Sequence, residues 1–199
     1  MTLVEDVSST SFRESSTAVL ETERLVLRAP CLEDAKAIAQ LANDRRIAEN
    51  TTRIPHPYRL ADAETFITTI SRSAGELALL ITLDDMPIGA CGLSQLEGPA
   101  PDLGYWVGAA YWGHNYATEA ARAVIDHAFT ELGYDALQAG ARVTNPASRR
   151  VLEKCGFQWT GVGLYRIRAL SSSAPIDRFR LDRGIWASLR SWRPVRRVV

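Results

Sequence analysis

Two short segments carry the residue types that could bind and activate a small molecule. One is Trp112-Gly113-His114-Asn115-Tyr116-Ala117-Thr118, placed between a strand-like run, DLGYWVG, and an apolar helical pattern. A helix start leaves its first N–H groups without intrahelical acceptors, and the helix dipole makes that end positive, so phosphate-like anions are held there. Gly108, Ala109, Ala110, Gly113 and Ala117 are small enough to let a ligand approach the main chain. The other segment is Asn145-Pro146-Ala147-Ser148, in which a side-chain amide and a hydroxyl open a second helix. Asn is a favoured N-cap and Pro a favoured first helical residue, so Asn145 alone reads equally well as a cap or as a ligand-binding amide. There is no GxxxxGK[ST] and no GxGxxG after a strand, which argues against nucleotide hydrolysis and a dinucleotide fold.

The surrounding pattern supplies the elements that must position these segments. Leu25 and Leu27 alternate with polar neighbours as a strand that Pro30 stops. Leu32, Ala35, Ile38, Ala39 and Ala42 recur at helical spacing, with Cys31 in the N-cap place, where a weakly capping, inert thiol is expected. RIPHPY is an extended loop and ADAETFITTISR a second helix. ELALLITL and PIGACGLSQL form a hairpin about the Asp84–Asp85 turn, and DLGYWVG follows through the Gly98–Pro101 turn. A helix from Ala117 to Leu132, closed by Gly133, then a strand DALQAGARV, the Asn145 helix closed by Gly156, and the strands FQWTGVG and APIDRFRL complete the order. The class is α+β: antiparallel strands first, then strand–helix–strand–helix–strand.

Totals restrict the function. The 199 residues suit one domain: a mobile Ser/Thr-rich tail over 1–20, a single domain over 21–190 and a C-terminal tail over 191–199. Lys+Arg and Asp+Glu both number 23, so a strongly basic nucleic-acid binder is not indicated. Cys31, Cys91 and Cys155 are odd in number and widely spaced, and with His56, His114 and His127 they suggest neither a disulfide framework nor a metal site. The N-terminus lacks a signal-peptide pattern, and Leu77–Leu83 falls far short of the ~20 apolar residues that span a bilayer. A cytoplasmic protein with no membrane partner is expected.

The segments YWVGAAYWGHNYATEAARAVIDHAF and NPASRRVLEKCGF, one strand apart, together resemble the GNAT superfamily of acyl-CoA-dependent N-acyltransferases. The likeness runs from about Glu21 to Trp186 and is nearer to the branch that acetylates N-terminal amines of ribosomal proteins (the RimJ/RimL type). It implies a GNAT fold, with a central mixed, mostly antiparallel sheet of about seven strands and about four helices. It also implies that the fourth strand, 102–108, splays from the fifth, 135–144, and that acetyl-CoA is the co-substrate, with no metal. The family's (Q/R)xxGx(G/A) pyrophosphate loop falls on Trp112, Gly113, His114, Asn115, Tyr116 and Ala117, with Thr118 behind it. Asn115 stands where glycine is usual, and Asn tolerates positive φ better than other non-glycine residues. The loop itself holds no Lys or Arg, and Arg122 lies one turn into the helix, so its backbone donors are expected to dominate. By the same resemblance, pantetheine pairs near Val107, Asn145 bonds the cofactor arm, and Ser148 sits near the thioester sulfur as the acid.

The implied reaction is direct attack of a primary amine on the thioester, with an N–H at or near Val107 stabilising the oxyanion. No cysteine has to act as a nucleophile. A glutamate that relatives keep late in the fifth strand corresponds to Gly140, and a tyrosine acid corresponds to Leu152. Asp102, at the entry of the fourth strand, is a candidate base, but an exposed strand-end aspartate is the favoured reading. Deprotonating a lysine amine at pH 7 costs ~4.6 kcal/mol, against ~1.0–1.4 kcal/mol for an α-amine, so a site without a strong base favours a peptide N-terminus or a weakly basic small amine. His56 and Tyr58 line the acceptor side by family analogy, or else pack and cap. The segments 50–60 and 164–176 are expected to be acceptor-surface loops. Without the usual acid and base, a non-catalytic coenzyme A-binding sensor or scaffold is the alternative. The resemblance admits a homodimer, and the sequence leaves oligomeric state open.

Overall fold

Eight strands form one open sheet in the order β1-β2-β3-β4-β5-β6-β8-β7 in the computed structural model, which describes residues 18–70, 76–95 and 100–191. The strands are β1 (Leu20–Glu21), β2 (Val26–Arg28), β3 (Leu77–Leu83), β4 (Met86–Ser94), β5 (Asp102–Val107), β6 (Ala136–Arg142), β7 (Gln158–Ile167) and β8 (Ser172–Asp182). The helices are α1 (Ala35–Ala42), α2 (Arg45–Ala48), α3 (Leu60–Ile70), α4 (Tyr116–Thr130), α5 (Pro146–Cys155) and α6 (Arg183–Ser191). Every pairing is antiparallel except β5 with β6.

The expected order holds, with one strand and two helices more than the approximate count. The extra strand is β1, where Leu20 pairs with Leu27, so order starts one residue earlier than expected. Residues 1–17 of the expected N-terminal tail, most of the C-terminal tail, and Gly98 and Pro99 of the expected turn lie outside the described residues. The β3–β4 hairpin turns through Asp84 and Asp85, both at positive φ. A larger correction concerns 164–176. It is the hairpin of β7 and β8, joined by a 3-10 turn at Arg168–Leu170, and the strand pairing runs from Gln158↔Arg180 to Ile167↔Ser172. Polar and glycine-rich runs concealed that pairing.

Strand alternation divides the core between the two faces of the sheet. Leu79 and Ile81 join Val124, Ile125, Phe129 and Leu152 beneath α4 and α5. Leu80 joins Ile38, Ala63 and Ile67 beneath α1 and α3. The two helices that open at the chemistry-bearing segments, α4 and α5, therefore share one face and start at the same end of the sheet. No helix among the described residues is long and apolar enough to cross a membrane.

Candidate active site

β5 and β6 run side by side only at Asp102↔Gln138 and Leu103↔Ala139. Beyond that point each follows its own antiparallel partner: β5 stays with β4 to Val107, and β6 stays with β8 to Arg142. The result is a wedge that opens towards the carboxyl ends of both strands. Gly108 N–H donates to the Ile88 carbonyl at 2.8 Å, so by antiparallel alternation the odd-numbered residues of β5 turn their main-chain groups towards β6. With the ladder ended at Leu103, the N–H groups of Tyr105 and Val107 face the wedge without a strand partner. The Val107 carbonyl accepts from Trp112 Nε1 at 2.7 Å.

The loop after β5 rests on two left-handed residues, Gly113 at φ 83° and Asn115 at φ 63°. Asn115 thus adopts the turn that glycine usually supplies. No side chain caps α4, and its first backbone bond runs from Glu119 N to Asn115 O at 3.1 Å. The N–H groups of Tyr116, Ala117 and Thr118 therefore have no acceptor within the helix. Cations missing from the loop's own sequence are brought in by the fold. Lys154 Nζ donates to Asn115 Oδ1 at 2.8 Å, and Arg122 donates to the Lys154 carbonyl at 2.9 Å. Arg24 grips Glu119 through Nε and NH2, donates to the His114 carbonyl at 3.1 Å and lies 4.6 Å from the centre of the Tyr116 ring. Arg46 covers the Trp112 ring at 5.1 Å. Arg24, Asn115, Thr118, Arg122 and Lys154 border a cavity of 660 Å³ beside the start of α4.

On the other arm, Asn145 Oδ1 accepts from Ser148 N at 3.1 Å and Pro146 fills the first turn, as the sequence pattern predicts. The Tyr105 hydroxyl lies 2.9 Å from Ser148 Oγ and donates to the Ser148 carbonyl at 3.0 Å. Leu152 is fully buried in the core. A side chain at Gly140 would begin 2.8 Å from Ile176 Cγ2 and 3.3 Å from Arg178 NH1, so the place of the family glutamate is already filled. Arg178 NH2 donates to Asp102 Oδ1 at 2.9 Å and to Gln138 Oε1 at 2.8 Å.

The wedge, with its unpaired amides and an uncapped helix start at its mouth, suits an extended, diphosphate-bearing ligand. Residues 24–158 match the family described as "Acetyltransferase (GNAT) domain". The chain belongs to the GNAT acetyltransferase family. It is 30% identical over 149 residues to the uncharacterized N-acetyltransferase p20 of Bacillus licheniformis, covering 72% of this chain and 84% of that protein. It is also 30% identical over 152 residues to the uncharacterized N-acetyltransferase YoaA of Bacillus subtilis, covering 72% and 85%. Among solved structures, Mycobacterium smegmatis RimJ in complex with CoA-disulfide shares the fold at a TM-score of 0.74 and 18% identity, covering 87% of this chain and 90% of that one. A GNAT-family acetyltransferase from Bacillus anthracis does so at 0.73 and 19%, covering 83% and 98%.

In this acetyltransferase the residues singled out in the sequence fall into three places. Trp112, Gly113, His114, Asn115, Tyr116, Ala117 and Thr118 form the loop and helix start at the wedge mouth, and Val107 ends β5 before the Gly108–Tyr111 turn that leads to them. Asn145 and Ser148 open α5 on the opposite arm. Asp102 lies at the closed end, where it is ion-paired with Arg178. Its side chain shares a face with Trp106, which packs against the Tyr58 cluster. Tyr58 itself is buried there, and burial pushes its hydroxyl up to about 12, while His56 is exposed. Packing accounts for most of the Tyr58 ring.

Arg24, Tyr105, Lys154 and Arg178 were missed, because each reaches the site from a distant part of the chain. Tyr105 lies in the strand leading to the loop, yet its partner Ser148 is 43 residues away. Neither Cys31 nor Cys91 is activated. Hydrogen bonding to Glu33 and Asp34 pushes Cys31 up rather than down, and burial pushes Cys91 up strongly.

Proposed function

We propose that this acetyltransferase moves the acetyl group of acetyl-CoA to a primary amine by direct attack within a ternary complex, the acceptor being a protein or peptide N-terminus or a small amine. The observation that carries the reading is the parting of β5 and β6 after Leu103↔Ala139, immediately before an uncapped helix start. Pantetheine would lie in the wedge against the unpaired amides of Tyr105 and Val107. The diphosphate would rest on the loop 112–118, with Arg24 and Lys154 beside it. One strand N–H at or near Val107 would stabilise the oxyanion, leaving the other to the pantetheine arm. Asn145 bonds the cofactor arm, and Ser148 donates to the departing thiolate.

Asp102 is the carboxylate we assign as proton acceptor, acting through water, with Arg178 as its fixed neighbour. It shares a face with the Tyr58 cluster, which makes that face the acceptor side, with His56 at its rim. A solved structure of the same fold described as "RimL- Ribosomal L7/L12 alpha-N-protein acetyltransferase in complex with Coenzyme A" supports a protein α-amine as acceptor. Three free thiols fit a reducing compartment such as the cytoplasm.

The test is mass spectrometry of a mixed pool of amines and peptides incubated with the protein and acetyl-CoA. A product heavier by one acetyl group, formed only with active protein, is the expected result. Failure to bind acetyl-CoA at millimolar concentration would remove the reading. Binding without any turnover would favour the sensor or scaffold alternative, for which the filled sites at Gly140 and Leu152 speak.

A further inference from the structure

We infer that Tyr105 is the positioning residue for Ser148: its hydroxyl, reaching from β5 across the wedge to the first turn of α5, frees the Ser148 proton for the departing thiolate. The inference rests on the acetyl-transfer reading above and deepens it at the same site.

The argument starts from proton counting. A phenol has one proton and two acceptor lone pairs, and so does a serine hydroxyl apart from its geometry. Tyr105 Oη has two neighbours within reach, Ser148 Oγ at 2.9 Å and the Ser148 carbonyl at 3.0 Å. When Tyr105 donates to the carbonyl, its oxygen accepts the Ser148 proton, and Ser148 is spent as a donor. When Tyr105 donates to Oγ instead, the Ser148 proton turns outward. A sulfur arriving beside Ser148 selects the second arrangement, because it supplies an acceptor the first leaves unused.

Tyr105 suits that role. Burial pushes its phenol up well above the ordinary tyrosine range, so it stays protonated and keeps a proton to donate to Ser148. Its partner serine is fixed independently, since Ser148 N is held by Asn145 Oδ1. The place where relatives carry a tyrosine acid is a fully buried leucine, Leu152. Tyr105 comes instead from the opposite arm of the wedge, and a hydrogen bond replaces direct protonation. In the step itself the N–C bond forms, the C–S bond breaks and its electron pair goes to sulfur. The proton that sulfur gains overall is the one the amine loses. Tyr105 keeps its own.

The experiment compares wild type with Tyr105→Phe, Ser148→Ala, Ser148→Thr and the Tyr105→Phe/Ser148→Ala double variant. The acetyl-CoA Kd is measured by calorimetry, separately from kcat and from the acceptor KM. Tyr105→Phe should lower kcat about tenfold and leave the acetyl-CoA Kd within about twofold. Ser148→Ala should lower kcat at least as much, and Ser148→Thr, which restores a hydroxyl, should recover most of it. The double variant should be no slower than Ser148→Ala, because Tyr105 acts through Ser148. Losses that multiply, a Kd that weakens in step with kcat, or an unaltered Tyr105→Phe would overturn the assignment. A wild type that binds acetyl-CoA but acetylates no amine overturns the acetyl-transfer reading along with it. An active wild type with an unaltered Tyr105→Phe overturns the role of Tyr105 alone.

Discussion

Lys154 Nζ donates to Asn115 Oδ1 at 2.8 Å, joining the last turn of α5 to the loop that opens α4. The two helices flank the wedge, so this bond ties its two sides together at the mouth. Asn115 is left-handed rather than extended, and its side chain does not cap α4, so the first helix N–H groups have no side-chain acceptor.

Substitutions at Asn115 should separate backbone shape from side-chain chemistry. Its φ of 63° costs a branched residue about 1–2 kcal/mol. Asn115→Val should therefore lower Tm by roughly 2–8 °C and weaken acetyl-CoA binding. Asn115→Gly keeps the turn and loses only the exposed bond to Lys154, so its stability should stay within about 1 kcal/mol of wild type. Thermal melts with and without acetyl-CoA check both; equal melts for the two variants would contradict the argument.

Trp112→Phe retains an aromatic face for Arg46 but removes the donor held by the Val107 carbonyl at 2.7 Å. Loss of one hydrogen bond of about 1 kcal/mol should raise the acetyl-CoA KM about fivefold with little change in kcat. Steady-state kinetics at saturating acceptor decide this, and an unchanged KM would show that the latch does not shape the site.

Proton removal should govern the choice of acceptor. With Gly140 in the place of the family glutamate and the Asp102 carboxylate ion-paired to Arg178, the proposed reaction depends on the fraction of free amine. For a peptide α-amine, kcat/KM should rise about tenfold per pH unit below 7 and level off near pH 8. A lysine side chain should still be rising at pH 9. A plateau near pH 6 for either acceptor would reveal a strong base in the protein.

Asp34 predicts a specific acid sensitivity of the fold. Two hydrogen bonds from Arg28, both at 2.8 Å, with further donation from Cys31, lower its carboxyl to about 2. A depressed carboxyl contributes stability that is complete above its unfolded value near 4 and lost as pH falls through about 2. Asp34→Asn should thus cost about 2 kcal/mol at pH 7, and its difference from wild type should shrink between pH 4 and pH 2. Urea unfolding across that range measures it; a difference independent of pH would place the effect in packing rather than charge.

Much of the site was legible because its signals are local. An αL-tolerant Asn115 between a strand and a helix, and Asn145-Pro146 at a helix start, depend on residues within a few positions of one another, and both adopt the predicted conformations. The hairpin at 164–176 was not legible. Its strands carry few alternating apolar residues, and the pairing rather than the composition holds them.

The sequence by itself determined the order of elements, the two helix starts at Asn115 and Asn145 and the absence of a cationic loop, since backbone preference and capping are decided by near neighbours. Only the tertiary structure decided how far β5 and β6 stay together, which cations reach the loop and what touches Ser148. Arg24 meets Glu119 across 95 positions and Tyr105 meets Ser148 across 43. Such pairs form because sheet order sets β5 beside β6 and brings both helix starts to one end. That is a consequence of burying two cores at once, and no short stretch of the chain encodes it.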